Sequence, residues 1–334
     1  MLATVAAAKS KEADIVCFAE LGTVYYPPRE FLEFDAFIQK AEQTVGQLAT
    51  AAQDIAIVVG SVDRNESGEG KPLHNAAYFL ADSEVQFIQH KALLPTYDIF
   101  DEYRYFEPAR SFGLVTYKGK KIALTICEDI WNLGNENPLY TICPMDEMMP
   151  HQPDFMINIS ASPFDYSQSM ERIRIAKANV ERYKLPFFYI NQCGAQTEVL
   201  FDGGSLVLSP DGKVFEELPY FTPCLKVYDL DAVRAGGREQ TQPKEKIALI
   251  HDGLVMGLKD YFGKLGLKKA ILGLSGGIDS AVVAVLAARA LGKNNVRLLL
   301  MPSQFSSNHS VQDARKLAEN LGTQYDIVPI ESIY

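Results

Sequence analysis

The sequence predicts an α/β protein of two modules, and three observations carry that reading. Short apolar runs of strand length alternate with segments of helical spacing. Turn signals join several of these runs into hairpins in the first two thirds of the chain. A polar stretch at 234–246 (RAGGREQTQPKEK), with two glycines and a proline, then breaks the pattern, and plain strand–helix alternation follows it.

Residues 2–11 are rich in alanine and read as a helix, and 14–19 (DIVCFA) read as the strand after it. The run 55–61 (IAIVVGS) is a second buried strand. Residues 75–80 and 85–90 flank the turn Ala81-Asp82-Ser83-Glu84, a hairpin by pattern. The turn Tyr117-Lys118-Gly119-Lys120 leads into a strand at 121–127 (KIALTIC). Strands at 154–160 and 186–191 enclose 169–183, where Ile173, Ala176 and Val180 recur among charges at helical spacing. Residues 203–214 form a hairpin around Ser209-Pro210-Asp211-Gly212. After the break, helices are expected at 247–264, 279–291 and 310–321, with strands at 269–274, 296–301 and 325–330. Such alternation implies a Rossmann-like, doubly wound parallel sheet. Three strands are fewer than that sheet normally needs, so the second module reads as incomplete. The expected organisation is a first domain at 1–235, a linker at 236–246 and a second domain at 247–334.

Acidic residues outnumber basic ones, 42 to 32 in 334, for a formal charge of −10. A field of that sign repels phosphate backbones and argues against nucleic acid as a partner. It leaves room for a small anion held by local backbone N–H groups. The five cysteines are scattered and lack C-x-x-C spacing, which argues against a disulfide framework or zinc site and for a reducing compartment. No apolar run approaches the roughly 18 residues of a membrane span, and residues 1–10 lack the basic region of a signal peptide. The expectation is a cytoplasmic protein with no membrane partner.

The strongest local signal is the turn Gly273, Leu274, Ser275, Gly276, Gly277, Ile278, Asp279, Ser280, between an expected strand and an expected helix. Glycines admit close backbone approach and positive φ, and the free N–H groups at a helix start favour an anion. The Gly-Lys-Ser/Thr of a Walker A loop is missing. Gly273 to Gly277 also matches G-x-S-x-G, the nucleophile elbow, but only His309 remains downstream to complete a triad. A tight turn without a ligand is the plain alternative. The Ser-Gly-Gly-x-Asp-Ser string resembles the pyrophosphate-binding loop of the ATP pyrophosphatases. The segment Met301-Pro302-Ser303 with Ser306-Ser307 resembles the NAD synthetase version of a second ATP-contacting segment.

Three residues of the first module are weak signals singly. A cysteine ending a strand, such as Cys127, is ordinarily a core residue. Lys91 at a hairpin end is ordinarily solvated, and Glu20 after the first strand could simply cap a turn. All three lie at strand C-terminal ends, where α/β sheets place their chemistry. Together they suit acyl transfer: a thiol, a carboxylate base and an ammonium that stabilises negative charge. Phe18-Ala19-Glu20-Leu21, then His90-Lys91-Ala92-Leu93-Leu94-Pro95, then Ile126-Cys127-Glu128-Asp129-Ile130-Trp131 resemble, in order, the three motifs of the nitrilase/amidase superfamily. Followed by the glycine-rich turn, they resemble the glutamine-dependent NAD synthetase family along essentially the whole chain.

That resemblance implies a nitrilase-like α-β-β-α sandwich ahead of the Rossmann-like module. It implies Cys127 as nucleophile, Glu20 as base and Lys91 as the oxyanion-stabilising lysine. Tyr97 and Ser162 match positions that contact glutamine; Gln168 falls where many relatives carry a basic residue. Glu102 and Glu128 are both open as partners of the glutamine amino group or of the lysine. Gly273 to Ser280 would hold ATP phosphates, with Asp279 a Mg2+ ligand. The implied reaction takes ammonia from glutamine and uses ATP to amidate deamido-NAD+ to NAD+, releasing AMP and pyrophosphate. By the same resemblance a homo-oligomer is expected. Relatives begin before the first helix and continue past Tyr334, so this chain is expected to retain at most the glutaminase half. A stand-alone carbon–nitrogen hydrolase, an ATP-driven amidation of another carboxylate and a non-catalytic binding module are the alternatives.

Overall fold

The computed structural model describes residues 1–239 and 245–331; residues 240–244 of the expected linker and the final three residues lie outside the described residues. The chain divides into two units, Met1–Gln196 with Phe201–Pro243, and Thr197–Leu200 with Lys244–Tyr334.

The first unit begins with α1 (Leu2–Lys9), β1 (Ile15–Cys17), α2 (Asp35–Ala51), β2 (Ala56–Arg64), β3 (Leu73–Ala81) and β4 (Glu84–His90). It continues with α3 (Glu102–Tyr105), β5 (Val115–Tyr117), β6 (Lys120–Ile126), α4 (Pro144–Met148), β7 (Phe155–Ser160), α5 (Gln168–Tyr183) and β8 (Phe187–Asn191). It closes with β9 (Cys193–Gln196), the second half of β10 (Val199–Asp202), whose first two residues belong to the other unit, β11 (Leu206–Leu208), β12 (Val214–Glu217) and α6 (Leu230–Arg234). One sheet has the order β1-β2-β3-β4 and the other β12-β11-β8-β7-β6-β5.

The strands are apolar on both faces because both faces are buried. Ala56 and Val58 of β2 meet Ile122, Leu124 and Ile126 of β6 between the sheets. The alternate residues Ile57 and Val59 pack outward against Val45 and Leu48 of α2. On the far side, Met156 and Phe187 pack under Ile173, Ala176 and Val180 of α5. The result is the expected α-β-β-α sandwich. The helix α2 is an element the sequence reading did not assign, although Ile38, Ala41, Val45 and Leu48 recur at helical spacing and are buried.

The second unit contains α7 (Lys246–Lys264), β13 (Ala270–Gly273), α8 (Ile278–Leu291), β14 (Val296–Leu300), α9 (Asn308–Leu321) and β15 (Gln324–Ile327). Its three strands are parallel in the order β13-β14-β15, with Leu272 opposite Leu298 and Leu298 opposite Tyr325. Val296, Leu298 and Leu300 face Ala284 and Ala287 of α8 and Ala314 and Ala318 of α9. Alanines at those contacts let the helices lie close to the sheet. Elsewhere the strands carry Ile271, 67% exposed, and an Arg297–Asp326 ion pair. Among the described residues the second sheet therefore has one covered and one open face.

Candidate active site

Each candidate of the first unit stands where a strand hands over to a loop. Cys127 follows β6 directly, Lys91 follows β4 directly, and Glu20 lies three residues beyond β1. The path to Glu20 depends on Gly60 in β2. Its N–H donates to the Ala19 carbonyl at 3.2 Å. A Cβ on Gly60 would sit 2.3 Å from the Leu21 nitrogen and 2.6 Å from the Glu20 Cα. Only glycine allows that crossing. A glycine inside an apolar strand was the available signal for such a close approach.

The three groups converge in the interior of the unit. Glu20 and Lys91 are fully buried and Cys127 is 6% exposed. Lys91 Nζ donates to Glu20 Oε1 at 2.7 Å and to Glu102 Oε1 at 2.6 Å. Asn75 Nδ2 donates to Glu20 Oε1 at 2.8 Å and to Glu102 Oε2 at 3.3 Å. The Ala161 N–H donates to Glu20 Oε2 at 2.9 Å, and the Tyr26 hydroxyl to Glu102 Oε1 at 2.8 Å. Two carboxylates, one ammonium and three neutral donors thus form one network, as a buried charge requires.

Burial and charge set the protonation states. Burial opposes the Lys91 charge, but Glu102 and Glu20 outweigh it and hold the ammonium well above the ordinary lysine range. Burial lifts the Glu102 carboxyl to about 7; Lys91 resists that rise, while the Glu20 charge adds to it. Burial and the Glu20 charge push the Cys127 thiol well up, with Lys91 opposing. At rest Cys127 therefore holds its proton as a neutral thiol. Its backbone is left-handed at φ +43°, directly after extended Ile126. A non-glycine residue held there stores strain of about 1–3 kcal/mol, which the surrounding packing must sustain.

Asp129 braces this turn. Its Oδ1 accepts from the Ala92 and Leu93 N–H groups at 3.0 and 2.9 Å, and its Oδ2 from the Ile126 N–H at 3.0 Å. One carboxylate therefore ties the Lys91 segment to the Cys127 turn. Asn75, Gly60, Tyr26 and Asp129 were not found by sequence reasoning. Asp129 stands two residues after Cys127, but two of its three targets, Ala92 and Leu93, lie more than thirty residues away.

The structure separates the two glutamates that the sequence left open. Glu102 joins Lys91, whereas Glu128 accepts from the Tyr97 hydroxyl at 3.1 and 3.0 Å and from the Tyr140 hydroxyl at 2.9 Å. Ser162 is buried, with its N–H on Asn191 Oδ1 at 2.9 Å. Gln168 opens α5, and among the described residues its side chain hydrogen-bonds none of the other candidates.

The second candidate site is the turn from β13 to α8. Leu274 is buried, with its N–H on the Leu299 carbonyl at 2.8 Å. Beyond it the turn is largely open to solvent. Gly276 has φ +86°, and a Cβ there would lie 2.2 Å from the Ser310 carbonyl oxygen. The Ser275 hydroxyl meets Ser280 Oγ at 3.0 Å and accepts from the Gly277 N–H at 3.2 Å. Those partners belong to a turn, and among the described residues no histidine hydrogen-bonds Ser275 as an elbow nucleophile would require. The Ser303 N–H donates to Ser306 Oγ at 3.0 Å, and Ser307 caps α9 through the Ser310 N–H. Both loops leave the C-terminal ends of parallel strands, where open α/β sheets bind ligands.

A family model described as carbon-nitrogen hydrolase matches residues 1–238, and one described as NAD synthase matches residues 250–334. A glutamine-dependent NAD(+) synthetase from Synechocystis is 38% identical over 98% of this chain and 60% of its own length. One from Aquifex aeolicus is 32% identical over 97% of this chain and 61% of its own. The structure of the glutamine-dependent NAD+ synthetase from Acinetobacter baumannii in complex with ADP superposes with a TM-score of 0.89. That protein is 31% identical and is matched over 100% of this chain and 61% of its own. The chain spans about three fifths of the length of these relatives. An amidase from Nesterenkonia, 20% identical with a TM-score of 0.55 over 65% of this chain, shares the fold of the first unit. With the family model covering residues 1–238, the chain belongs to the carbon-nitrogen hydrolase family, and along its whole length it is built like the glutamine-dependent NAD(+) synthetases.

Proposed function

We propose that the first unit releases ammonia from glutamine. The observation that carries this reading is the buried Glu20–Lys91–Glu102 network beside a neutral thiol. Glu20 takes the Cys127 proton as sulfur attacks the side-chain amide carbon. Lys91 stabilises the oxyanion, an effect enhanced by the low dielectric of the pocket. The adduct collapses, Glu20 returns the proton to the leaving nitrogen, and ammonia departs from a thioester. Glu20 then deprotonates water, which attacks the thioester; glutamate leaves and sulfur regains its proton. Glu128, with Tyr97 and Ser162 near the entrance, recognises the amino-acid end of the substrate.

The second unit binds ATP phosphates on the backbone of Gly273 to Ser280. Mg2+ would arrive with ATP, whose phosphates supply most of its oxygen ligands. Asp279, in the first turn of α8, would add one oxygen, a donor type that fits this ion. The full reaction of this reading adenylates deamido-NAD+, and ammonia displaces AMP to give NAD+. A cytoplasmic homo-oligomer is part of the same proposal.

The test is glutamate release by this chain with and without iodoacetamide. Thiol-sensitive release is expected, and Cys127→Ala should lower it by at least about 1,000-fold. Release that survives Cys127→Ala would refute the assignment.

A further inference from the structure

Glu128 is 5% exposed and follows the nucleophile directly in the chain. Lys91 directs its hydrogen bonds to Glu20 and Glu102, and no ion pair forms on Glu128 among the described residues. Its side-chain hydrogen-bond partners are two phenols from separate segments. Tyr97 follows β4 and contacts both carboxylate oxygens; Tyr140 comes from the segment between β6 and α4 and contacts Oε1.

The Tyr140 segment is built to hold its position. Asn132, 1% exposed, donates to Asn135 Oδ1 and to the Ile142 carbonyl, both at 2.7 Å, and accepts from the Asn137 N–H at 2.9 Å. Asn135 Nδ2 donates to the Thr141 carbonyl at 3.1 Å. Asn137 Oδ1 accepts from the Leu139 N–H at 3.0 Å, and its carbonyl accepts from the Tyr140 N–H at 3.1 Å. Three asparagines thus substitute for regular structure and fix the loop that carries one phenol.

We infer that Tyr140 is a positioning residue for substrate recognition: its hydroxyl holds the Glu128 carboxylate aimed at the substrate's α-ammonium group and so sets the preference for glutamine over an amide lacking that group. The inference rests on the amidase reading above. A buried carboxylate whose hydrogen bonds come from neutral donors, with Lys91 bonded to Glu20 and Glu102 instead, has charge left for an incoming cation. Burial pushes the Glu128 carboxyl up and the Glu20 charge adds to it; the Lys91 ammonium pulls it down, and the Tyr140 and Tyr97 hydroxyls add to that pull. Burial and the Glu128 charge in turn raise both phenols, so they remain protonated donors at neutral pH. Removing the Tyr140 hydroxyl leaves Oε1 less restrained and the carboxyl easier to protonate. A hydrogen bond to a charged group contributes about 1.5–3 kcal/mol, or roughly 10- to 100-fold in binding.

The experiment compares glutamine with 4-carbamoylbutanoate, which has the same amide and carboxylate but no α-amino group. Tyr140→Phe should raise KM for glutamine by about 10-fold or more, with a smaller change in kcat, and leave KM for 4-carbamoylbutanoate within about twofold. The glutamine defect should grow as pH falls and Glu128 protonates. Glu128→Gln should erase the preference, and adding Tyr140→Phe to it should change nothing further. If the unsubstituted chain neither hydrolyses glutamine nor binds it by calorimetry as Cys127→Ala, the amidase reading fails and this inference with it. If the unsubstituted chain is active and Tyr140→Phe affects both substrates alike, or neither, the inference alone is overturned.

Discussion

The first unit encloses its chemistry, and the second displays it. Glu20 and Lys91 are fully buried, whereas Ile278 in the glycine-rich turn is 75% exposed. Both candidate sites use strand-to-loop junctions, yet they solve opposite problems. In the proposed reaction the first unit acts on an amide, which is neutral and unreactive, so it must supply charge in a desolvated site and hold it ready. The proposed ligand of the second unit, a phosphate, brings its own charge, so backbone N–H groups at an open helix start would be enough to hold it. Burial therefore shifts the protonation of Cys127, Glu102 and Glu128, while the open turn relies on backbone shape.

The largest effect should come from loosening the buried network. Glu102→Gln should lower glutamate release by at least about 100-fold, because Lys91 loses one of two carboxylates. Stability should move separately. Glu102 is raised to about 7 from 4.5, so its stabilising contribution is complete below 4.5 and is lost as pH rises through 7. The Gln variant lacks that titration. In urea melts it should gain on the unsubstituted chain as pH climbs across that window, and a parallel pH dependence would refute the assignment.

The same substitution made once in each unit sharpens the contrast. Gly60→Ala and Gly276→Ala both drive a Cβ into backbone, at 2.3 Å from the Leu21 nitrogen and 2.2 Å from the Ser310 oxygen. Each should cost on the order of 1–3 kcal/mol. Gly60→Ala should also displace Glu20 and reduce glutamate release about 100-fold. Gly276→Ala should abolish ATP binding, measured by calorimetry, and spare glutamate release. Loss of glutaminase in both variants would mean that the two sites do not respond independently.

The smallest effects compare one residue type in two settings. Ile57, fully buried between its sheet and α2, should cost about 2–5 kcal/mol as Ile57→Ala. Ile271, 67% exposed, should cost less than about 1 kcal/mol as Ile271→Ala. Equal losses in denaturant melts would show that the open face is covered in solution.

Much of the fold was legible because its signals are local. The β3–β4 hairpin, the strands β6, β7 and β8 and the β13–α8 turn announce themselves in short windows of apolar periodicity and turn residues. The helix α2, which the sequence reading leaves unassigned, carries the same kind of local signal, with Ile38, Ala41, Val45 and Leu48 at helical spacing. Boundaries moved by a few residues, as at β2, which runs on to Arg64 while its pairing with β3 continues to Leu73.

What the sequence determined by itself was the cast: a thiol, a lysine and acidic residues at strand ends, and glycines where a backbone must turn sharply. Those properties belong to residue types and their neighbours. Only the tertiary structure decided which glutamate meets the lysine. Glu102 and Glu128 look alike in the chain, yet Glu102 shares Lys91 with Glu20, and Glu128 faces two phenols. It alone revealed that Asp129 ties the Cys127 turn to the Lys91 segment and that Gly60 makes way for Glu20. The reason is physical: partner identity and desolvation arise from segments tens of residues apart, and no local pattern records which of them will be buried together.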